Sequence, residues 1–130
     1  PNAPAGMPGV ETSLPLMLTH AVEGRCNIID VSKWMSSGPA KVYGIQNKGS
    51  IIEGYDADLT LVDLENRRTI YDSDTWTRVG WTPYNGMELT GWPIYTIVDG
   101  NVVHKREIDG PLKGIAVGKP GETGRVLKFD

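Results

Sequence analysis

The sequence predicts an α+β fold, with helices over roughly the first 48 residues and a module of antiparallel strands after them. Three observations lead there. Apolar residues before position 48 recur at helical spacing, whereas from Gly49 onward glycine and β-branched residues dominate. Asp99-Gly100 stands between two short apolar runs, the signature of a type I′ hairpin turn whose two central residues take positive φ. The 130 residues are 39% hydrophobic and 22% charged, enough for one buried core and too few for two ordinary domains.

Residues 1–10 carry three prolines and two glycines with no apolar period, so they read as a loop. Leu14, Met17, Leu18, Ala21 and Val22 then share one helical face. Thr12 or Ser13 is the expected N-cap, Pro15 is tolerable only in the first turn, and Gly24 ends the helix. A second helix is expected over Ile28–Ser36, capped by Asn27 with Asp30 in the first turn. A third, short helix should open with Pro39 at its first position and stop at Gly44.

Strands are expected at Ile51-Ile52, Asp58–Asp63 and Arg67–Tyr71, with Thr60 and Val62 on one face and Leu59 and Leu61 on the other. Residues 72–93 hold Trp76, Trp81 and Trp92 among Gly, Pro and Asn, and read as a long irregular connection pinned by large rings. The hairpin runs from Ile94–Val98 through Asp99-Gly100 to Asn101–Lys105, and the stretch from Asp109 to Asp130 should lie over a surface.

Sixteen acidic against thirteen basic side chains give a net charge of −3 with no basic strip, which argues against nucleic acid as a partner. No apolar run approaches the ~20 residues that span a bilayer, so no membrane segment is expected. The single cysteine, Cys26, cannot form an internal disulfide, and a lone thiol fits the cytoplasm. His20 and His104 are the only histidines and are far apart in sequence, so no zinc tetrad can be assembled from this chain and no metal ligand is assigned. Asp56/Asp58 and Asp72/Asp74 flank turns, where aspartate satisfies backbone donors. No catalytic residue is assigned either. The absence of an initiator Met and the loop-like opening suggest the carboxy-terminal portion of something longer.

Four strings carry a family resemblance: PAGMPGVETSLPLML (Pro4–Leu18), GIQNKGSIIEGYDADLTLVDLE (Gly44–Glu65), GWTPYNGMELTGWP (Gly80–Pro93) and IYTIVDGNVV (Ile94–Val103). Together they resemble, in the same order, the carboxy-terminal part of type I dihydroorotases. The Gly-Tyr-Asp-Ala-Asp-Leu element and the hairpin are shared with hydantoinases and allantoinases; the first and third strings favour dihydroorotase.

The resemblance implies the end of a metal-dependent (β/α)₈-barrel amidohydrolase. Residues 1–48 would be the last barrel loop and terminal helices, 49–108 part of a composite β-sandwich, and 109–130 a carboxy-terminal tail. It implies zinc in the parent enzyme, which activates water for attack on the cyclic amide of dihydroorotate or, in reverse, supports cyclisation of N-carbamoyl-aspartate in pyrimidine biosynthesis. The family's metal ligands and catalytic aspartate precede the matched region, so this chain alone is expected to bind no zinc and to be inactive. Ala5 and Gly6 match positions whose main chain contacts substrate in the family. The implied partners are the missing amino-terminal barrel segment and further copies in a homo-oligomer. Two other readings compete: a hydantoinase or allantoinase parent, and a non-catalytic homologue that supports aspartate transcarbamoylase.

Overall fold

Gly9, rather than Thr12 or Ser13, opens the first helix, α1, which spans Val10–Val22. The expected caps still serve this end from inside it: the Thr12 and Ser13 hydroxyls donate back to the Gly9 carbonyl at 3.2 and 2.6 Å. Pro15 is therefore interior rather than in the first turn. Its ring is fully buried, and the Thr19 hydroxyl donates to its carbonyl at 2.7 Å. The structure, a computed structural model, describes residues 6–118, 124 and 127–129.

Asn27 caps α2 (Ile28–Ser32) as its chemistry predicts: its Oδ1 accepts the Asp30 N–H at 2.9 Å, while the Asp30 carboxylate accepts the Asn27 N–H. The expected break before Pro39 does not occur. A π-helical turn over Lys33–Ser37 leads directly into α3 (Gly38–Val42). Proline lacks an N–H and crowds the carbonyl four residues back, and the wider π turn carries the chain past it. Gly38 donates to Lys33 O, five residues away, and a Cβ on Gly38 would lie 2.6 Å from that oxygen. Gly44, at φ 61°, ends the helix.

Ile51-Ile52 is not a strand; both side chains are exposed in a loop where Asp56 N–H donates to Asn47 O at 2.9 Å. The two strands expected around residues 58–71 are one, β1 (Leu59–Thr69), interrupted by register shifts after Leu61 and Asp63. Its burial does not alternate, and Leu61 and Leu64 remain exposed. Its antiparallel partner β2 (Glu88–Val98) begins inside the stretch expected to be irregular. Gly91, at φ 86°, and Pro93 hid it, since both oppose a regular strand. β3 (Asn101–Lys105) pairs with β2 across Asp99 and Gly100, whose φ of 49° and 77° are those of a type I′ turn. Ile115–Ala116, from the stretch expected only to cover a surface, adds β4, giving the order β1-β2-β3-β4. Phe129 makes an isolated bridge to Ile45.

The core lies where α1 crosses β2. Ile70, Leu89 and Trp92 form its buried centre, with Leu16, Tyr84 and Leu112 packed around them. Trp92 satisfies its indole N–H on Leu89 O at 3.0 Å. Leu18 fills the notch left by Gly91, where a Cβ would stand 2.5 Å from Leu18 Cβ. Beside it the Thr19 hydroxyl accepts the Thr90 N–H at 2.8 Å, so the helix is hydrogen-bonded to the strand as well as packed on it.

Candidate functional site

The segment Gly6–Gly9 leads into α1, and the first turn of that helix faces the connection between β1 and β2. Gly9 O is the anchor. It accepts Thr12 N–H at 3.2 Å and Ser13 N–H at 2.9 Å in addition to the two hydroxyls. Thr12 is 1% exposed, so this corner is tightly held. Opposite it, the connection is braced by aspartates: Asp72 accepts Thr82 N–H at 2.8 Å, Asp74 accepts Tyr71 N–H at 2.9 Å, and Thr75 donates to Asp72 O. These carboxylates build turns, as their positions suggest.

Between the two walls lies a cavity of about 390 Å³, lined on one side by Met7–Thr12 and on the other by Thr75, Trp76, Thr77, Trp81 and Thr82. A second cavity of about 230 Å³ shares Glu11, Thr75 and Trp76 with it and reaches Trp92, His104 and Arg106. Arg106 is 4% exposed. Its Nε donates to Pro93 O at 3.0 Å and its Nη1 to Ile108 O at 3.2 Å, and burial lowers the pKa of its guanidinium from the ordinary value. Among the described residues, its Nη2 and the nearby Asn66 Oδ1 are buried without a hydrogen-bond partner.

Ala5, the first substrate-contact residue implied by the family resemblance, lies outside the described residues. Gly6 is exposed, has no positive φ, and would meet nothing within 4 Å if it carried a Cβ. Nothing among the described residues therefore demands glycine there. The two histidines are not brought together: His20 Nδ1 is 2.8 Å from Arg25 Nη1, and His104 Nε2 is 3.0 Å from Lys113 O. Cys26 is half-buried immediately before the Asn27 cap. Among the described residues no three His, Cys, Asp or Glu side chains group to hold a metal. The described residues therefore do not fit a zinc ion.

Comparison with known proteins bears on that geometry. The profile of the Amidohydrolase family matches residues 7–103, spanning the Pro-Gly loop, α1, the connection and the hairpin. The chain belongs to the amidohydrolase family. Within it, the dihydroorotase of Pyrococcus furiosus is 40% identical over 124 residues, covering 95% of this chain and 30% of that protein. The dihydroorotase of Bacillus subtilis is 36% identical over 105 residues, 79% of this chain and 24% of its own length. Among solved structures, the L-hydantoinase (dihydropyrimidinase) of Arthrobacter aurescens superposes with a TM-score of 0.80 at 35% identity, over 90% of this chain and 25% of that one. The chain thus spans less than a third of the length of these relatives.

Sequence reasoning missed three residues that organise the region. Lys48 bridges Asp56 at 3.1 Å and Asp58, so these aspartates carry an ion pair as well as a turn. Lys113 places its ammonium 4.8 Å from the centroid of the Trp76 ring. Glu11 accepts the Trp76 N–H at 2.8 Å. The only prior signal was the cluster of tryptophans. Trp76 does pin the connection, whereas Trp92 belongs to a strand and Trp81 stays part-exposed at the cavity.

Proposed function

We propose that the chain is the carboxy-terminal part of a dihydroorotase. The observation that carries this reading is the 40% identity to a dihydroorotase over 95% of the chain, beside coverage of only 30% of that relative. In this reading residues 1–48 supply the last barrel loop and terminal helices, 49–108 part of the β-sandwich, and 109–130 the tail. Ala5 and Gly6 orient the ring of dihydroorotate through their main chain and take no part in bond breaking. Zinc and the catalytic acid–base groups belong to the remainder of the parent, since the described residues offer no ligand cluster. Cytoplasmic pyrimidine biosynthesis and homo-oligomer formation belong to the same reading, whereas support of aspartate transcarbamoylase belongs to the alternative of a non-catalytic homologue.

A hydantoinase-type parent is the second reading, favoured by the TM-score of 0.80 to an L-hydantoinase. Both are cyclic-amide hydrolases, so substrate decides between them. The full-length protein should open dihydroorotate and cyclise N-carbamoyl-aspartate, with hydantoin and dihydrouracil turned over far more slowly. Preference for hydantoin would transfer the chain to the second reading, and no turnover of any cyclic amide would leave only a non-catalytic homologue.

A further inference from the structure

One polar contact joins the start of α1 to the connection between β1 and β2. Glu11 Oε2 accepts the backbone N–H of Trp76 at 2.8 Å, across 65 positions of sequence. Trp76 is itself fixed from behind: its indole N–H donates to Lys113 O at 2.7 Å, under the Lys113 ammonium, and the same carbonyl meets His104 Nε2 on β3. A continuous line of contacts therefore runs from the sheet, through Lys113 and Trp76, to Glu11. From Glu11 it reaches the Gly6–Gly9 segment, because Gly9 O is gripped by residues 12 and 13 of the same turn.

An acid in a first helical turn has a simpler explanation, attraction to the positive end of the helix dipole. That explanation needs only the charge. It does not account for a carboxylate oxygen placed at hydrogen-bond distance from a loop amide on another element, nor for Glu11 lining both cavities at the point where they meet.

We propose that Glu11 is a positioning residue: it locks the Gly6–Gly9 segment to the Trp76 connection, so that the segment's main chain meets the substrate in one placement. The inference rests on the dihydroorotase reading for its consequence in turnover, but the lock itself does not. A displaced binding segment weakens substrate capture, whereas simple loss of folded protein lowers kcat alone.

The test uses the full-length enzyme with Glu11→Ala and Glu11→Gln. Glu11→Ala should raise KM for dihydroorotate about tenfold or more, with a smaller change in kcat. Glu11→Gln keeps an acceptor oxygen without the charge, and should recover most of that loss. Hydrogen–deuterium exchange should quicken at the Trp76 amide and across residues 6–10 in Glu11→Ala, and stay near wild type in Glu11→Gln. An unchanged KM in Glu11→Ala, or equal impairment of both variants, would overturn the inference in favour of a dipole effect. If the wild-type enzyme fails to turn over dihydroorotate, the functional reading falls, and the exchange measurement alone then decides whether the lock exists.

Discussion

Gly91 carries more of the fold than its size suggests. Its φ of 86° is a conformation that side-chain-bearing residues rarely adopt, and a Cβ there would drive into Leu18. Strain and overpacking act together at this one position, so Gly91→Ala should cost about 2–4 kcal/mol. Urea unfolding should show a lower midpoint at unchanged slope, and a midpoint equal to wild type would mean that α1 moves aside freely. Arg106 shows another tension at the same scale. Its carbonyl partners are all backbone, and a buried cation without a full set of acceptors is held in place by the chain around it. Asp63, close enough to favour its charged form, partly offsets burial.

Among the elements, Lys48 reinforces the join between the loop after α3, the start of β1 and the hairpin tip. Lys48 bridges Asp56 and Asp58, the other Asp58 oxygen accepts Asp99 N–H at 2.8 Å, and Gly100 N–H reaches Ala57 O at 3.0 Å. The hydrogen bond to Asp58 is the largest influence on the ammonium and raises its pKa above the ordinary 10.5 against the opposing effect of burial. The folded value is the higher one. The contribution to stability is therefore complete below about pH 10.5 and is lost as pH rises through the folded value. Alkaline unfolding followed by circular dichroism should show this loss in the wild type, and Lys48→Met should flatten it. A profile with the same slope in both proteins would remove the bridge from the account.

What was legible at this scale followed from local chemistry. The Asn27 cap and the Asp99-Gly100 turn are decided by residues adjacent in sequence, and both stand where expected. The early start of β2 through Gly91 and Pro93 reverses local preference because tertiary packing rewards it, whereas the π turn before Pro39 answers a steric demand of the proline that apolar spacing does not display. The Glu11–Trp76 contact joins two elements and has no local signature.

For the whole molecule, the distribution of apolar surface is the telling quantity. Ile28, Ile29, Trp34, Val42 and Tyr43 on the helical stretch, and Leu61 and Leu64 on β1, are all exposed. β1 also ends the described sheet on one side with an open row of backbone groups. Patches and edges of this kind mark surfaces that pack against further protein. Purified alone, the chain should self-associate in light scattering, carry no stoichiometric zinc by metal analysis and fail to open dihydroorotate. Activity should appear only when the rest of the parent is supplied, and metal-dependent turnover by the isolated chain would refute this picture.

The crossing of α1 on β2 also has a consequence in time. The hairpin of β2 and β3 closes over two residues and can form in microseconds, whereas Thr19 must wait for Thr90, 71 positions later. On a ribosome adding residues at about 5–20 per second, the apolar face of α1 is left uncovered for roughly 4–14 s before its docking strand has been made. That interval is long against hydrophobic collapse, so α1 emerges well before the strand it docks on.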